Sequence, residues 1–339
     1  MQRNILIIDS TLRDGSHAMS HQFTKKQIKD YARGAELANE KILIVGHGMG
    51  LGASSLQQGK SLLTDKEMLT AAKKQLIKTK LGVFFIPGYG TIKNDIEPIL
   101  PVGIDVIMIA SHCTEANITK QHIQYTIQKR IKTYGVLMMS HMASAKILLE
   151  QAKLMEAYGA KGILLMDSAG TYLPKDVADK ISTLVKGLSI DVGFHAHNNL
   201  GLSIANSLVA VENGATIIDA CSRGLGAGAG NCQLEVFVGI LDKLGYKTGL
   251  NLYKLMDNSE NIIAKLMKNK LEINQITLMC GLTSTVSAFA PHVIKAAQRF
   301  NVNPRDIFVE LGKRQVIGGQ EDIIIDIATK LSKKHKITT

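Results

Sequence analysis

Apolar, β-branched runs of five or six residues recur along the first 245 positions, separated by longer stretches in which apolar residues return every three or four places. The runs at 5–9, 42–46, 81–86, 106–110, 135–139, 162–167, 191–196 and 216–221 are nearly all apolar, the pattern of parallel strands covered on both faces. The stretches between and after them predict helices, among them 24–39, 64–78, 117–132, 144–158, 175–187, 200–213 and 233–245. Thr24 stands as N-cap of the first, and Asp65 and Glu67 favour a helix start in the second. Eight strands, each followed by a helix, predict an α/β fold of the (β/α)8 TIM-barrel type. An open doubly wound sheet would carry a glycine-rich turn after its first strand, and here that turn reads Ser10-Thr11-Leu12-Arg13-Asp14-Gly15. From about residue 250 only helices are predicted, over 251–267, 291–300 and 322–334, with a disordered end after His335. The expected division is a catalytic barrel over 1–248 and a helical C-terminal domain over 249–339.

Composition narrows the class. A chain of 339 residues, 45% hydrophobic and 20% charged, is long enough for one large barrel. The net charge of +11 raises the question of a nucleic-acid partner. Its lysines and arginines are scattered, however, and are densest only at Lys330, Lys333, Lys334 and Lys336; there is no tryptophan and no zinc-knuckle spacing. That is a solvated surface, and no nucleic-acid binding is expected. Cys113, Cys221, Cys232 and Cys280 form no CxxC pair and fit a reducing compartment. Met1-Gln2-Arg3-Asn4 leads straight into a strand and not into a signal peptide, and no apolar run reaches the ~20 residues of a membrane span. A cytoplasmic protein with no membrane partner is expected.

Catalytic side chains of barrels come from the C-terminal strand ends. Here those positions hold Arg13, Asp14 and His17 after the first strand, His47 after the second and His112 after the fourth. Ser140-His141 follows the fifth, Asp167-Ser168 ends the sixth, and His195-Ala196-His197-Asn198-Asn199 ends the seventh. Most of the ten histidines thus gather on one face. His195 and His197, two apart on a strand, point to the same side and can reach one metal ion. Asp14 is the best candidate for a completing carboxylate, because closure sets the first and seventh strands on either side of the eighth. Such a set leaves positions open and suits divalent manganese, magnesium, cobalt or zinc. Beside it, Arg13 could stabilise the enolate of a 2-oxo acid, or simply pair with a carboxylate. His17 could be a general acid or base, or a loop histidine in a hydrogen-bond network. The glycine-rich loop 224–230 lacks a Walker lysine, so a carboxylate site or a tight turn fits it better than a phosphate cradle. Met138, Met139 and Met142 read as core or pocket wall.

Together, Thr11-Leu12-Arg13-Asp14-Gly15, His17, Ser140-His141-Met142, Asp167-Ser168, His195-Ala196-His197-Asn198-Asn199-Leu200 and the glycine-rich run ending in Asn231 closely resemble the 4-hydroxy-2-oxovalerate aldolases. These are class II pyruvate aldolases of the DRE-TIM metallolyase superfamily. The likeness continues in Val309-Glu310-Leu311-Gly312 and Gly318-Gly319-Gln320-Glu321-Asp322. It implies cleavage of a 4-hydroxy-2-oxo acid to pyruvate and a short aldehyde through a metal-bound pyruvate enolate. Asp14, His195 and His197 would hold the metal, Mn2+ foremost, with His195 also beside the substrate. Arg13 would stabilise the enolate, His17 would take the proton from the 4-hydroxyl, and Ser168 would contact substrate. An acylating aldehyde dehydrogenase is the implied partner, and a homo-oligomer is compatible with the pattern.

The chain departs from this pattern in three places. The family's C-terminal tyrosine is missing from 281–289, where Leu282 or Val286 stands in its place. Met49 replaces an aspartate, and Phe84 and Phe85 replace leucines. These changes motivate two alternatives: a related carbon–carbon lyase or Claisen-type synthase with a different acceptor, and a low-activity scaffold partner of a dehydrogenase.

Overall fold

The computed structural model describes residues 4–267 and 271–338. The N-terminal reading of Met1–Arg3, and the side chains of the tail lysines Lys334 and Lys336, lie outside the described residues. Eight parallel strands form a closed barrel: β1 (Leu6–Leu12), β2 (Ile42–Val45), β3 (Lys80–Phe85), β4 (Val106–His112), β5 (Lys132–Met138), β6 (Gly162–Asp167), β7 (Asp191–Ala196) and β8 (Ile217–Ala220). The ring shuts where β8 pairs with β1, Leu6 opposite Ile217 and Asp9 opposite Ala220.

The strands are apolar on both faces because both are buried. Ile8, Ile44, Phe84, Met108, Tyr134, Val136, Leu164 and Met166 point inward and fill the barrel. Their neighbours Ile7, Leu43, Val83, Phe85, Ile107, Leu137, Ile163 and Leu165 face the helical layer. The two phenylalanines that end β3 therefore part company. Phe84 belongs to the interior below the mouth, whereas Phe85 packs outward, its ring centroid 5.1 Å from that of His122.

Among the described residues, seven α-helices longer than a single turn cover the barrel: α1 (Lys25–Leu37), α2 (Asp65–Lys73), α3 (Lys120–Gln128), α4 (Ala145–Ala157), α5 (Pro174–Gly187), α6 (Ser203–Glu212) and α7 (Leu234–Lys243). Thr24 and Thr64 start the first two through reciprocal capping boxes with Gln27 and Glu67. The expectation of a helix after every strand fails once. After β3 the chain makes a π turn at Ile92–Ile96 and a 3-10 turn at Glu97–Val102, where Pro98 and Pro101 cannot donate to an α-helical ladder.

Beyond the barrel come α8 (Leu252–Asn258), α9 (Gln275–Leu282), α10 (Ala290–Phe300), α11 (Pro304–Arg314) and α12 (Asp322–Thr338). The end expected to be disordered after His335 is a continuation of α12 to Thr338. The α8 helix stays with the barrel, Asn258 Nδ2 donating to the Tyr31 carbonyl of α1. The last four helices bury a core of their own around Cys280, Phe289, Val293, Ile307, Phe308 and Ile324. Among the described residues, no helix is long and apolar enough to cross a membrane.

Candidate metal centre

The register between β1 and β2 slips between Asp9 and Leu12. Asp9 braces this irregular stretch, its carboxylate accepting from the Thr11 backbone N–H at 2.8 Å and from the Tyr31 hydroxyl at 2.6 Å. The chain then turns at Arg13 and Asp14 into the barrel mouth. There the Asp14 carboxylate meets His195 and His197 from the end of β7, with one ligand atom from each lying within 4.8 Å of the others. All three side chains are buried.

Their chemistry suits a cation. His195 Nε2 and His197 Nδ1 are buried and have no hydrogen-bond partner among the described residues. Each is a nitrogen that can offer a lone pair to a metal. Burial would raise the Asp14 carboxyl, but Arg13, His197, His195 and His17 outweigh it and hold the group well below the usual carboxylate range. Burial pushes the His197 imidazole down to about 4, against the pull of Asp14. The set at neutral pH is one carboxylate and at least one neutral imidazole, as metal ligation requires.

Around the triad, Arg13 Nη1 lies 3.2 Å from Asp14 Oδ1, and its guanidinium carbon stands 4.5 Å over the Phe84 ring. Arg13 Nε and Nη2 are buried and make no hydrogen bond among the described residues, while Nη2 also stands 3.7 Å from Asp219 Oδ2, so the guanidinium is ion-paired with two carboxylates. His17 Nε2 is 3.9 Å from Asp14 Oδ1, and its side chain keeps 22% exposure to solvent. Burial lowers the His17 imidazole despite the Asp14 carboxylate, leaving it neutral near pH 7. Gly48 allows this approach, since a Cβ there would collide with the His17 ring.

The structure thus gathers Arg13, Asp14, His17, His195 and His197. Ser168 sits at the rim and accepts a 2.9 Å bond from the Met139 N–H. Two other strand-end histidines, His47 and His112, bond within the loops. His47 accepts from the Met49 N–H at 3.0 Å, lies 3.0 Å from the Gly59 carbonyl, and stacks on His21 at 3.7 Å. His112 engages Thr114 and the Met142 sulfur.

Two residues to which the sequence assigns no role support the centre. Asp219, fully buried in β8, places Oδ2 3.0 Å from His195 Nδ1 and 3.7 Å from Arg13 Nη2. Its signal was present: a lone carboxylate in an otherwise apolar strand. Asn231, at the end of the glycine-rich loop, donates from Nδ2 to Asp14 Oδ2. The loop is stitched to the end of β7 by Asn198 N–H to Gly230 O at 2.8 Å and Cys232 N–H to Ala196 O at 3.1 Å.

Comparison with known proteins adds an independent line. A family model described as HMGL-like matches residues 4–262, and one described as DmpG-like communication domain matches 271–333. The chain is 48% identical over 338 residues to the 4-hydroxy-2-oxovalerate aldolase of Pectobacterium atrosepticum, covering 99% of this chain and 98% of that one. It is 48% identical over 333 residues to the protein of the same name from Moorella thermoacetica, covering 98% of each. Among solved structures, the carboxyl transferase domain of Rhizobium etli pyruvate carboxylase with pyruvate superposes at a TM-score of 0.81 and 15% identity, over 98% of this chain and 62% of that one. At that identity the likeness is one of fold.

Proposed function

The chain belongs to the HMGL-like family and, within it, to the 4-hydroxy-2-oxovalerate aldolases, and from that membership we propose that it cleaves a 4-hydroxy-2-oxo acid to pyruvate and a short aldehyde. The observation that carries the reading is the convergence of Asp14, His195 and His197 beside the buried guanidinium of Arg13. A divalent cation, Mn2+ foremost, with Mg2+, Co2+ or Zn2+ also suited to two imidazoles and a carboxylate, would supply Lewis-acid polarisation of the 2-oxo group.

The chain's own side chains supply the rest. His17, neutral and partly open to solvent, takes the proton of the 4-hydroxyl. The C3–C4 bond breaks, C4 leaves as the aldehyde carbonyl, and the electron pair passes into the pyruvate enolate. Arg13 Nε and Nη2 stabilise the charge that grows on the enolate oxygen, in a buried setting where such a bond counts for more than in water. A proton returned to C3 completes pyruvate. Ser168 is assigned a substrate contact at the rim, its oxygen held by the Met139 N–H.

We keep the functional division at 248/249, with a catalytic barrel and a communication-type C-terminal region. The communication-domain match over 271–333 supports an acylating aldehyde dehydrogenase as partner, which would receive the reactive aldehyde. Cytoplasmic residence accords with this pairing. The test is pyruvate release from 4-hydroxy-2-oxo acids of increasing chain length by metal-reconstituted protein, with His195→Ala as control. Metal-dependent release that the control lacks is expected, and its chain-length optimum identifies the aldehyde. Metal bound without pyruvate from any of them overturns the reading.

A further inference from the structure

Asn199 is fully buried two residues beyond His197, and its side-chain amide is bonded on both ends. Nδ2 donates to the Ala169 carbonyl, in the loop after β6, at 2.9 Å. It also donates to Ser287 Oγ, in the C-terminal region, at 2.9 Å. Oδ1 accepts from the Ala229 N–H, in the glycine-rich loop after β8, at 3.0 Å. Three loops of the mouth and the C-terminal region therefore meet at one amide. Close packing leaves it little freedom. A Cβ at Gly228 would come within 2.6 Å of Asn199 Oδ1, and one at Gly281 within 3.3 Å of Asn199 Cβ. A second strap lies nearby, where Thr171 Oγ1 and Ser284 Oγ are 3.0 Å apart.

We propose that Asn199 is a positioning residue through which Ser287 sets the arrangement of the metal ligands; the inference rests on the metal-site reading given above. Ser287 accepts one of the two N–H bonds of the amide and so fixes its rotation. The carbonyl end of the same amide then holds Ala229, and two residues further Asn231 is bonded to Asp14. At its other end the Asn199 backbone is tied to His197 by sequence. Rotation of the amide releases both the glycine-rich loop and the Asp14 side of the centre. Removing a single hydroxyl more than one residue away from any ligand therefore alters how the centre binds a cation.

Two measurements on full-length Ser287→Ala and Ser287→Thr test this. Hydrogen exchange at the Ala229 amide, in metal-free protein, reads the link without any cation. Cobalt(II) titration followed by visible absorption reads the centre. The expectation for Ser287→Ala is faster exchange at Ala229, an altered cobalt(II) spectrum and cobalt(II) affinity weakened about tenfold, the low end of what outer-shell changes cost. Ser287→Thr, which keeps the hydroxyl, restores all three. If the parent binds cobalt(II) and Ser287→Ala matches it in exchange, spectrum and affinity, this inference alone is overturned. A parent that binds no cobalt(II) overturns the metal reading and this inference with it.

Discussion

Asp219 is placed to bias which nitrogen of His195 is available. With its carboxylate 3.0 Å from Nδ1, the proton of the neutral ring is favoured on that side, and Nε2 is left with its lone pair toward Asp14. An amide can present either oxygen or N–H at that position, so the preference weakens. Asp219→Asn is expected to lower divalent-metal affinity by about 10- to 100-fold, measured by calorimetric titration with Mn2+. Affinity equal to the parent's would show that Asp219 has no hold on the ligand. The ligands themselves were legible in the sequence because His195 and His197 share a strand face and Asp14 follows the first strand. Asp219 was not, because a single carboxylate inside a short apolar strand reads as barrel filling.

Among elements, the glycine-rich loop does the most for the centre. Gly224, Gly228 and Gly230 all take positive φ, which a side chain would strain, and this lets the loop fold back onto the end of β7. Gly226 is needed for a different reason. A Cβ there would lie 2.7 Å from Asp14 Oδ2 and collide with the Asn231 amide. Gly226→Ala is expected to weaken Mn2+ binding at least about tenfold while lowering the melting temperature of the metal-free protein by only a few degrees, as a local displacement outside the core would. A large thermal loss with unchanged metal binding would place its role in folding instead. The C-terminal helices show where the sequence reading stopped short. Gln275–Leu282 is apolar on nearly every side and shows no helical period, whereas Pro304–Arg314 carries an Asn303 cap and a proline at its first turn and could have been found. The missing tyrosine falls in this region: Leu282 is 63% exposed, and Val286 is half-buried against the C-terminal core.

At the scale of the molecule, sensitivity to rising pH and closure both involve β1. Glu40 is buried ahead of β2 and faces the Asp9 carboxyl, its own oxygens without a partner in hydrogen-bonding geometry. Burial, then the Asp9 charge, pushes Glu40 well above the ordinary carboxylate range. A group whose proton is held more tightly in the folded state stabilises the fold fully below its unfolded pKa, and that contribution is lost as pH rises through the raised value. Thermal unfolding of the parent is therefore expected to shift to lower temperature as pH rises from about 5 to 9, and that of Glu40→Gln to shift less. Superimposable pH profiles would remove Glu40 as the cause. The barrel itself was legible from strand spacing, but the break after β3 was not, because two prolines inside a helical stretch decide it locally. Closure has a further consequence. The bonds from Ser222 to Thr11 and from Asn231 to Asp14 span 211 and 217 residues. During synthesis Asp14 emerges long before His195, His197 or the loop that braces it, and it waits as an ordinary carboxylate on an unfinished sheet. A cation would consequently have nothing to grip until the ring is shut, and would act as a latch on the completed barrel, stabilising that state alone by an amount that grows with the logarithm of the free metal.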